Sequence, residues 1–356
     1  MLTAAGIKAH AFELGFDLCG VAAATGFPEL GRLREWIDRG YAGDMTYMAR
    51  SASRRADVRA VLPSARSVVV TATNYNVDRP YSTEYDDASR ASIARYAWGD
   101  DYHDVLRGRL DTLLEWMRAH HEADFEARVY VDTGPVQERV YAQYAGIGWI
   151  GKNTCVINPA LGSWVFLGEI ICSLPLEPDT PAIDQCGTCT LCLEACPTGA
   201  IVEPWVLDAT RCLSYLTIEL KGEIPEVHRD ALGDHVFGCD ICQEVCPWNA
   251  APPTSTDPCW QPRSLLDRPK LVDLWLRSDE ELSEMAKGGP MTRPKLQGLR
   301  RNLAVALGNS RDEAALAALD ISRTDESVCD TNVMTHVGWA RRKLRRHDVK
   351  PETDPA

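Results

Sequence analysis

Eight of the thirteen cysteines in this chain stand at spacings that carry chemistry. The first run is Cys186-Gly-Thr-Cys189-Thr-Leu-Cys192-Leu-Glu-Ala-Cys196-Pro197. Its two-residue gaps let three thiolates from one short loop grip three irons of a cubane. The fourth, after a three-residue gap and followed by proline, faces a second cluster. A second run is therefore expected, and Cys239-Asp-Ile-Cys242-Gln-Glu-Val-Cys246-Pro247 provides it with three cysteines. Cys212, upstream, can supply the missing ligand. The crossover rule gives Cys186, Cys189, Cys192 and Cys246 to one [4Fe–4S] cluster, and Cys196, Cys212, Cys239 and Cys242 to the other. Single-electron transfer is the chemistry implied. A pair of structural zinc sites also takes four cysteines each, but needs neither this spacing nor the proline. Cys19, Cys155, Cys172, Cys259 and Cys329 are scattered and read as buried thiols.

Asp132 is the candidate acid. It ends the apolar stretch 127–131 and precedes Thr133-Gly134-Pro135, with a helix expected from the proline. Turns from strand to helix are common site positions in α/β folds. Sheltered by apolar neighbours, a carboxyl there would have a raised pKa and could donate a proton; capping the helix is the competing role. Two other motifs fall short. Gly146-Ile-Gly148-Trp-Ile-Gly151-Lys152-Asn153 fits GxGxxG and misses a phosphate loop by one residue. Such loops follow a strand, whereas 136–145 reads as a helix that Gly146 terminates. Asp101-Tyr-His103 begins like the Asp-x-His-x-x-Gly motif for cobalt ligation, but Leu106 occupies the glycine position. Asp101 and His103 are therefore expected as surface or capping residues.

The elements that must position these groups fall into three parts. Residues 1–175 alternate strand-like stretches at 67–73 and 127–131 with helical ones at 102–120 and 136–145, an α/β (α+β) pattern. Residues 176–255 form the cysteine-rich, ferredoxin-like part, opened by the proline-rich connector 174–181. Residues 256–356 read as helical. Lys287, Arg293, Lys295, Arg300 and Arg301 lie in an acid-free stretch there, and Arg341-Arg342-Lys343-Leu344-Arg345-Arg346 adds a second basic block. Either is a solvated helix face or a phosphate-binding surface. The formal charge of −13 argues against nonspecific nucleic-acid binding, yet leaves room for a local basic patch. No apolar run of about 18 residues suggests a membrane span. The absence of a secretory or twin-arginine leader points to a reducing cytoplasm.

Together these pieces resemble the epoxyqueuosine reductases, cobalamin-dependent enzymes that complete queuosine synthesis in tRNA. The resemblance rests on Arg95-Tyr-Ala-Trp-Gly-Asp-Asp-Tyr-His103, Val131-Asp132-Thr-Gly-Pro135, Gly148-Trp-Ile-Gly-Lys-Asn-Thr154 and Gly162-Ser-Trp-Val-Phe-Leu-Gly-Glu-Ile170. The cysteine runs, Arg211-Cys-Leu-Ser-Tyr-Leu-Thr-Ile-Glu219 and the stretch 238–249 complete it. It implies that the first part holds cobalamin with no protein histidine on the cobalt. Arg55, Arg95, Asp132, Val156, Leu167 and Ser214 would surround it, Val156 and Leu167 through their main chain. The clusters would feed electrons to cobalt, loaded by an external donor of flavodoxin or ferredoxin type. The substrate implied is epoxyqueuosine at the wobble position of a tRNA anticodon, reduced to the cyclopentene with its oxygen lost as water. Asp132 would be the proton donor.

The resemblance also implies a HEAT-like helical tail at 290–310, with Leu296, Leu299, Leu303 and Leu307 packed inward. Lys295, Arg300, Arg301, Arg341, Arg342, Arg345 and Arg346 would then meet tRNA phosphates. An anticodon loop offers unstacked bases, so a modified nucleoside could enter a pocket. A monomer without membrane attachment is expected. Two other functions compete: a cobalamin-dependent reductive dehalogenase, and a ferredoxin-type electron carrier that is not itself a catalyst. The first leaves the basic tail without purpose, and the second leaves Asp132 and the first 175 residues unexplained.

Overall fold

The computed structural model describes residues 2–321 and 325–348, with side chains through Arg346. The chain enters through helix α1 (Ala4–Glu13) and strand β1 (Leu18–Ala23). Helices α2 (Arg32–Asp38) and α3 (Thr46–Arg55) lead to β2 (Ser67–Asn74). A short β3 (Ser92–Ile93) precedes α4 (Tyr102–Ala119), β4 (Ala127–Tyr130) and α5 (Glu138–Tyr144). The small hairpin β5 (Trp149–Ile150) and β6 (Val156–Ile157) then leads to β7 (Val165–Cys172).

Four strands form one sheet in the order β1-β2-β7-β4, with every neighbouring pair antiparallel. β2 is buried at all of its positions, as expected of a strand covered on both faces. Period-two alternation sorts its apolar side chains. Val69 joins Val21 and Ile170 against Ile7, Leu106 and Leu110, while Val68 and Val70 join Ile171 against Val140 and Tyr141. The strands and helices expected at 67–73, 102–120 and 127–131 are thus present with shifts of a residue or so. The sheet is antiparallel, however, so the site-placement rule for parallel α/β sheets does not apply to it. α5 also starts at Glu138 rather than at Pro135. Its end follows the expected pattern. Gly146 has φ of 72°, and the Gly146 and Ile147 amides donate back to the carbonyls of Gln143 and Ala142.

The cysteine-rich part holds α6 (Leu191–Glu194), the β8 (Ile201–Glu203) and β9 (Val206–Leu207) hairpin, α7 (Leu213–Ile218), α8 (Glu226–Arg229), β10 (His235–Phe237) and α9 (Ile241–Glu244). Helices α10 (Leu271–Leu276), α11 (Asp279–Ala286), α12 (Lys295–Asn309), α13 (Ala314–Asp320) and α14 (Thr331–Asp348) follow. The three parts do not have separate cores. β3 pairs in parallel with β10, Arg90 bridges to Lys270, and one apolar cluster runs from Ile7 through Phe237 to Leu344. Among the described residues no helix is long and apolar enough to cross a membrane.

α12 packs against α14, α10, β10 and α7. Leu299, Leu303 and Leu307 are buried as expected, with Leu296 partly so. Arg300 and Arg301, expected at phosphates, are fully buried instead. Arg300 donates to the carbonyls of Trp275 and Arg277 and pairs with Asp279 at 3.1 Å. Arg301 donates to the carbonyls of Leu216, Leu220 and Gly222, each at 2.7 Å. The physical reason is that α10 and α7 end here. Their last carbonyls lack intrahelical partners and carry the negative end of the helix dipole, which a guanidinium satisfies. Neither side chain can reach an external phosphate.

Candidate cluster sites and the Asp132 cleft

The one-turn helices α6 and α9 each carry part of a cysteine run to the edge of the fold. Cys186, Cys189, Cys192 and Cys246 line a single cavity of about 250 Å³, with Lys152, Pro247 and Trp248 also in its wall. These are the four cysteines grouped by the crossover rule. Cys196, Cys212, Cys239 and Cys242 lie outside it and act on one another. Burial pushes the Cys212 and Cys239 thiols up, with the charge of Cys196 adding to both. Cys242 is pushed up by its contact with Cys155 and by burial, then by Cys239 and Cys212. Cys155, read as an ordinary buried thiol, therefore stands against this second group. Among the described residues no three His, Cys, Asp or Glu side chains converge closely enough for a single ion. The cavity that Cys186, Cys189, Cys192 and Cys246 border has room for a cubane.

The glycine-rich segment that imitates a phosphate loop has a different role. Lys152 Nζ donates to the carbonyls of Gly187 and Cys189 at 2.6 and 2.9 Å. Asn153 Nδ2 donates to the Cys242 carbonyl at 3.1 Å. The segment ties the two cysteine runs to the hairpin between α5 and β7.

Asp132 sits in the turn between β4 and α5 with φ of 55°, a left-handed conformation that few residues other than glycine adopt. Gly134 is required two residues on, because a Cβ there would collide with the Tyr130 ring. The Asp132 amide donates to the Glu138 carboxylate, which pins the turn. The Asp132 side chain is 61% exposed. Its Oδ2 accepts from the Tyr102 hydroxyl at 2.9 Å and lies 3.4 Å from His103 Nε2. Although the side chain is exposed, the protein around it still strips away some water, which alone would raise this carboxyl. Hydrogen bonds from His103 and Tyr102, with the charges of His103 and Arg139, outweigh it and leave the group below its ordinary value. The raised pKa expected from apolar shelter is therefore corrected: Asp132 rests as a carboxylate.

His103 is the second correction. Burial lowers it, but Asp101 and Asp132 together push it up to about 9. Asp101 does cap α4, accepting from the His103 amide at 3.0 Å, and the same oxygen meets His103 Nδ1 at 2.7 Å. The residue set aside as bland is thus part of the surroundings of Asp132. Beneath the turn, Glu138 and the fully buried Glu169 of β7 form a carboxyl pair. Burial and the Asp132 charge push both up; Glu138 raises Glu169 further, while a hydrogen bond from Glu169 draws Glu138 partly back, so the pair keeps a proton. A glutamate within the apolar run Val165-Phe-Leu-Gly-Glu-Ile-Ile-Cys172 was a signal available in the sequence.

The proposed cofactor neighbours divide. Burial first, then the charges of Glu219, Arg293, Asp132 and Arg55, act on Tyr47 of α3, which places these charged groups near it. Arg55 ends α3 and donates to the Val136 carbonyl at 2.8 Å; Ser214 lies in the first turn of α7. Val156 and Leu167 belong to one apolar cluster with Val136 and Tyr130. Arg95 differs from its expected role. It is 3% exposed, gives its guanidinium to the carbonyls of Val77, Arg79 and Pro80, and lies over the Trp98 and Trp164 rings. That commitment leaves it buried rather than at a surface.

Of the basic residues, Lys295 is exposed at the start of α12, and Arg293 beside it pairs with Glu219 at 3.0 Å. Arg341 and Arg345 share Asp320, at 2.8 and 3.7 Å, while Lys343 is taken by Asp230. Arg342 and Arg346 are exposed.

Comparison with known proteins matches this arrangement. Residues 55–133 fit a family model described as epoxyqueuosine reductase QueG, DUF1730, and residues 185–249 fit a 4Fe-4S double cluster binding domain. An epoxyqueuosine reductase of Xanthomonas campestris pv. campestris is 42% identical over 342 residues, 95% of either chain. Its counterpart in Escherichia coli is 38% identical, over 94% of this chain and 87% of that one. A crystal structure of an epoxyqueuosine reductase with an epoxyqueuosine-modified stem loop of tyrosine tRNA superposes with a TM-score of 0.86 at 33% identity, covering 96% of this chain and 89% of that one. The Bacillus subtilis enzyme, solved with its catalytic aspartate loop swung out of the active site, gives 0.85 at 31% identity over 98% and 95%. With its 4Fe-4S binding domain and mixed α and β body, this chain belongs to the epoxyqueuosine reductase family.

Proposed function

We propose that this protein reduces epoxyqueuosine to queuosine at the wobble position of tRNA, using cobalamin fed by two [4Fe–4S] clusters. The observation that carries the reading is the union, in one chain of this family, of a four-cysteine cavity with an exposed carboxylate on a strained turn. Cys186, Cys189, Cys192 and Cys246 would hold one cluster; Cys196, Cys212, Cys239 and Cys242 would hold the other. Bound cobalamin supplies low-valent cobalt able to activate the epoxide C–O bond. Arg55, Asp132 and Ser214 would hold that group, with Val156 and Leu167 of the neighbouring apolar cluster beside them. Asp132 would pass the proton to the departing oxygen. Its exposure suits this role, and the Tyr102 and His103 contacts fix its direction.

Residues 1–175 would carry the cofactor, 176–255 the clusters, and the HEAT-like helices of the last part the tRNA. Lys295 with Arg293 at the rim, and Arg342 and Arg346 on α14, are the phosphate contacts of this reading. An external donor of flavodoxin or ferredoxin type would load the clusters, and the enzyme would act as a monomer.

The test is anaerobic reconstitution followed by turnover of epoxyqueuosine-containing tRNA, read by mass spectrometry as loss of one oxygen atom. Asp132→Asn should keep iron and cobalamin and lose turnover by about 10²–10⁴-fold, the span of general-acid catalysis. No loss of oxygen with the loaded wild-type protein would reject the function. Near-normal reduction by Asp132→Asn would reject its role as donor.

A further inference from the structure

Loss of an epoxide oxygen as water consumes two electrons and two protons. The ring C–O–C becomes C=C, and the oxygen leaves carrying both protons. The reductase activity brings the electrons from its external donor. A single carboxyl supplies one proton at a time, and Asp132 rests as a carboxylate, so it must be reloaded within each turnover.

The structure holds a group placed to reload it. Asp101 Oδ1 receives both the His103 amide at 3.0 Å and His103 Nδ1 at 2.7 Å. This fixes the ring at its Nδ1 edge and turns Nε2 toward Asp132 Oδ2, 3.4 Å away. Tyr102 stacks on the His103 ring with centroids 4.0 Å apart, and on Phe166 at 4.5 Å, so the rings cannot easily swing away. Resting on the proposed donor role of Asp132, we infer that Asp101, His103 and Asp132 form a proton relay, in which His103 is the store that recharges Asp132 during epoxide reduction. In each transfer the imidazolium Nε2–H bond breaks and an O–H bond forms on Asp132 as the departing epoxide oxygen, far more basic than either group, takes the proton onward, and the neutral ring keeps its Nδ1 proton on Asp101. The ring then regains a proton from water, which its partial exposure permits.

The charge around the ring suits this duty. Asp101 and Asp132 face it from two sides and keep it protonated at neutral pH, up to about 9. Arg139 and Arg263 act one step further out, on Asp132 and on Asp101 respectively, and Glu138 acts on Tyr102. Nearby Tyr96 feels Asp132 and Arg293. His103 and Asp101 act through Asp132 and are positioning residues in this scheme.

The experiment uses cluster- and cobalamin-loaded enzyme with an epoxyqueuosine stem loop, in single turnover from neutral to alkaline pH. The wild-type rate should fall as pH rises through about 9, where His103 loses its proton. His103→Gln should be about 10²-fold slower at neutral pH and lack that alkaline limb, with iron, cobalamin and stem-loop affinity unchanged. Asp101→Asn still caps α4, since Asn and Asp cap about equally, and should move the limb to lower pH. NMR of the imidazole in the unloaded chain should show the same downward move in Asp101→Asn. A wild-type rate and limb in His103→Gln overturn the relay; if Asp132→Asn is then inactive, the donor role of Asp132 stands alone. An active Asp132→Asn with an inactive His103→Gln also overturns it, because the proton would not pass through Asp132.

Discussion

Asp132 holds its left-handed backbone because its neighbours over-determine it. Glu138 takes its amide, Gly134 leaves space for Tyr130, and Tyr102 and His103 fasten its carboxylate. Strain of about 1–3 kcal/mol at such a position needs this kind of support. The support includes a carboxyl pair that titrates out of its usual range. Burial and the Asp132 charge keep a shared proton on the Glu138–Glu169 pair where an unfolded chain would have ionised both. The folded state thus binds more protons, so stability should fall as pH rises from the ordinary carboxylate range through the raised folded values. Glu169→Gln keeps the shape and removes one titrating group. Its melting temperature should vary less with pH over that window than the wild type's, by thermal unfolding across a pH series. An identical slope in both proteins would show that the pair holds no shared proton. Asp132 itself was legible from its place after an apolar strand. The direction of its pKa was not, because Tyr102 and His103 come from α4, which meets the turn only in the folded chain.

At the scale of elements, α12 shows why a basic stretch is a poor guide to a binding surface. Its leucine spacing announced which face packs inward, and that face is buried. From Leu299 to Gly308, however, every residue of α12 is buried, so the helix is enclosed on all sides and takes Arg300 and Arg301 inside, yet charge alone read them as external. Their partners are main-chain carbonyls at the ends of α10 and α7, which have no signature in sequence. Burial brings Arg301 down to about 10, so it remains charged at neutral pH. Arg301→Met should leave three carbonyls without their donor and destabilise the protein by roughly 2–5 kcal/mol, taking each stranded group at about 1–3 kcal/mol with partial relief from relaxation. Denaturant unfolding measures this. Stem-loop affinity per folded molecule should stay unchanged; a selective loss of RNA binding without loss of stability would restore Arg301 to the interface. The cysteine runs sit at the opposite extreme. Their spacing is local, so the grouping of Cys246 with Cys186, Cys189 and Cys192 was readable without any knowledge of the tertiary fold.

Over the whole molecule, the pairing of β3 with β10 and the apolar cluster that spans all three parts join what composition alone divides. Long-range register leaves no local trace, which is why three segments were legible and their interlocking was not. The same folding redistributes charge. A chain of formal charge −13 can bind tRNA only where exposed cations remain unneutralised. Arg341, Lys343 and Arg345 are shared with Asp320 and Asp230, so the C-terminal basic block is weaker than its sequence suggests. Exposed Lys295, Arg342 and Arg346 are better placed to displace counterions. Replacing these three with Gln should weaken stem-loop binding and flatten the plot of log affinity against log salt. The slope should drop by about 0.7 to 0.9 for each phosphate that the protein no longer neutralises. Replacing Arg341 and Arg345 should change the slope less, because Asp320 already holds their charge. Binding titrations over a salt series separate the two sets. If the second pair dominates the slope, the RNA must draw Arg341 and Arg345 away from Asp320, and α14 would then be the principal phosphate-binding element.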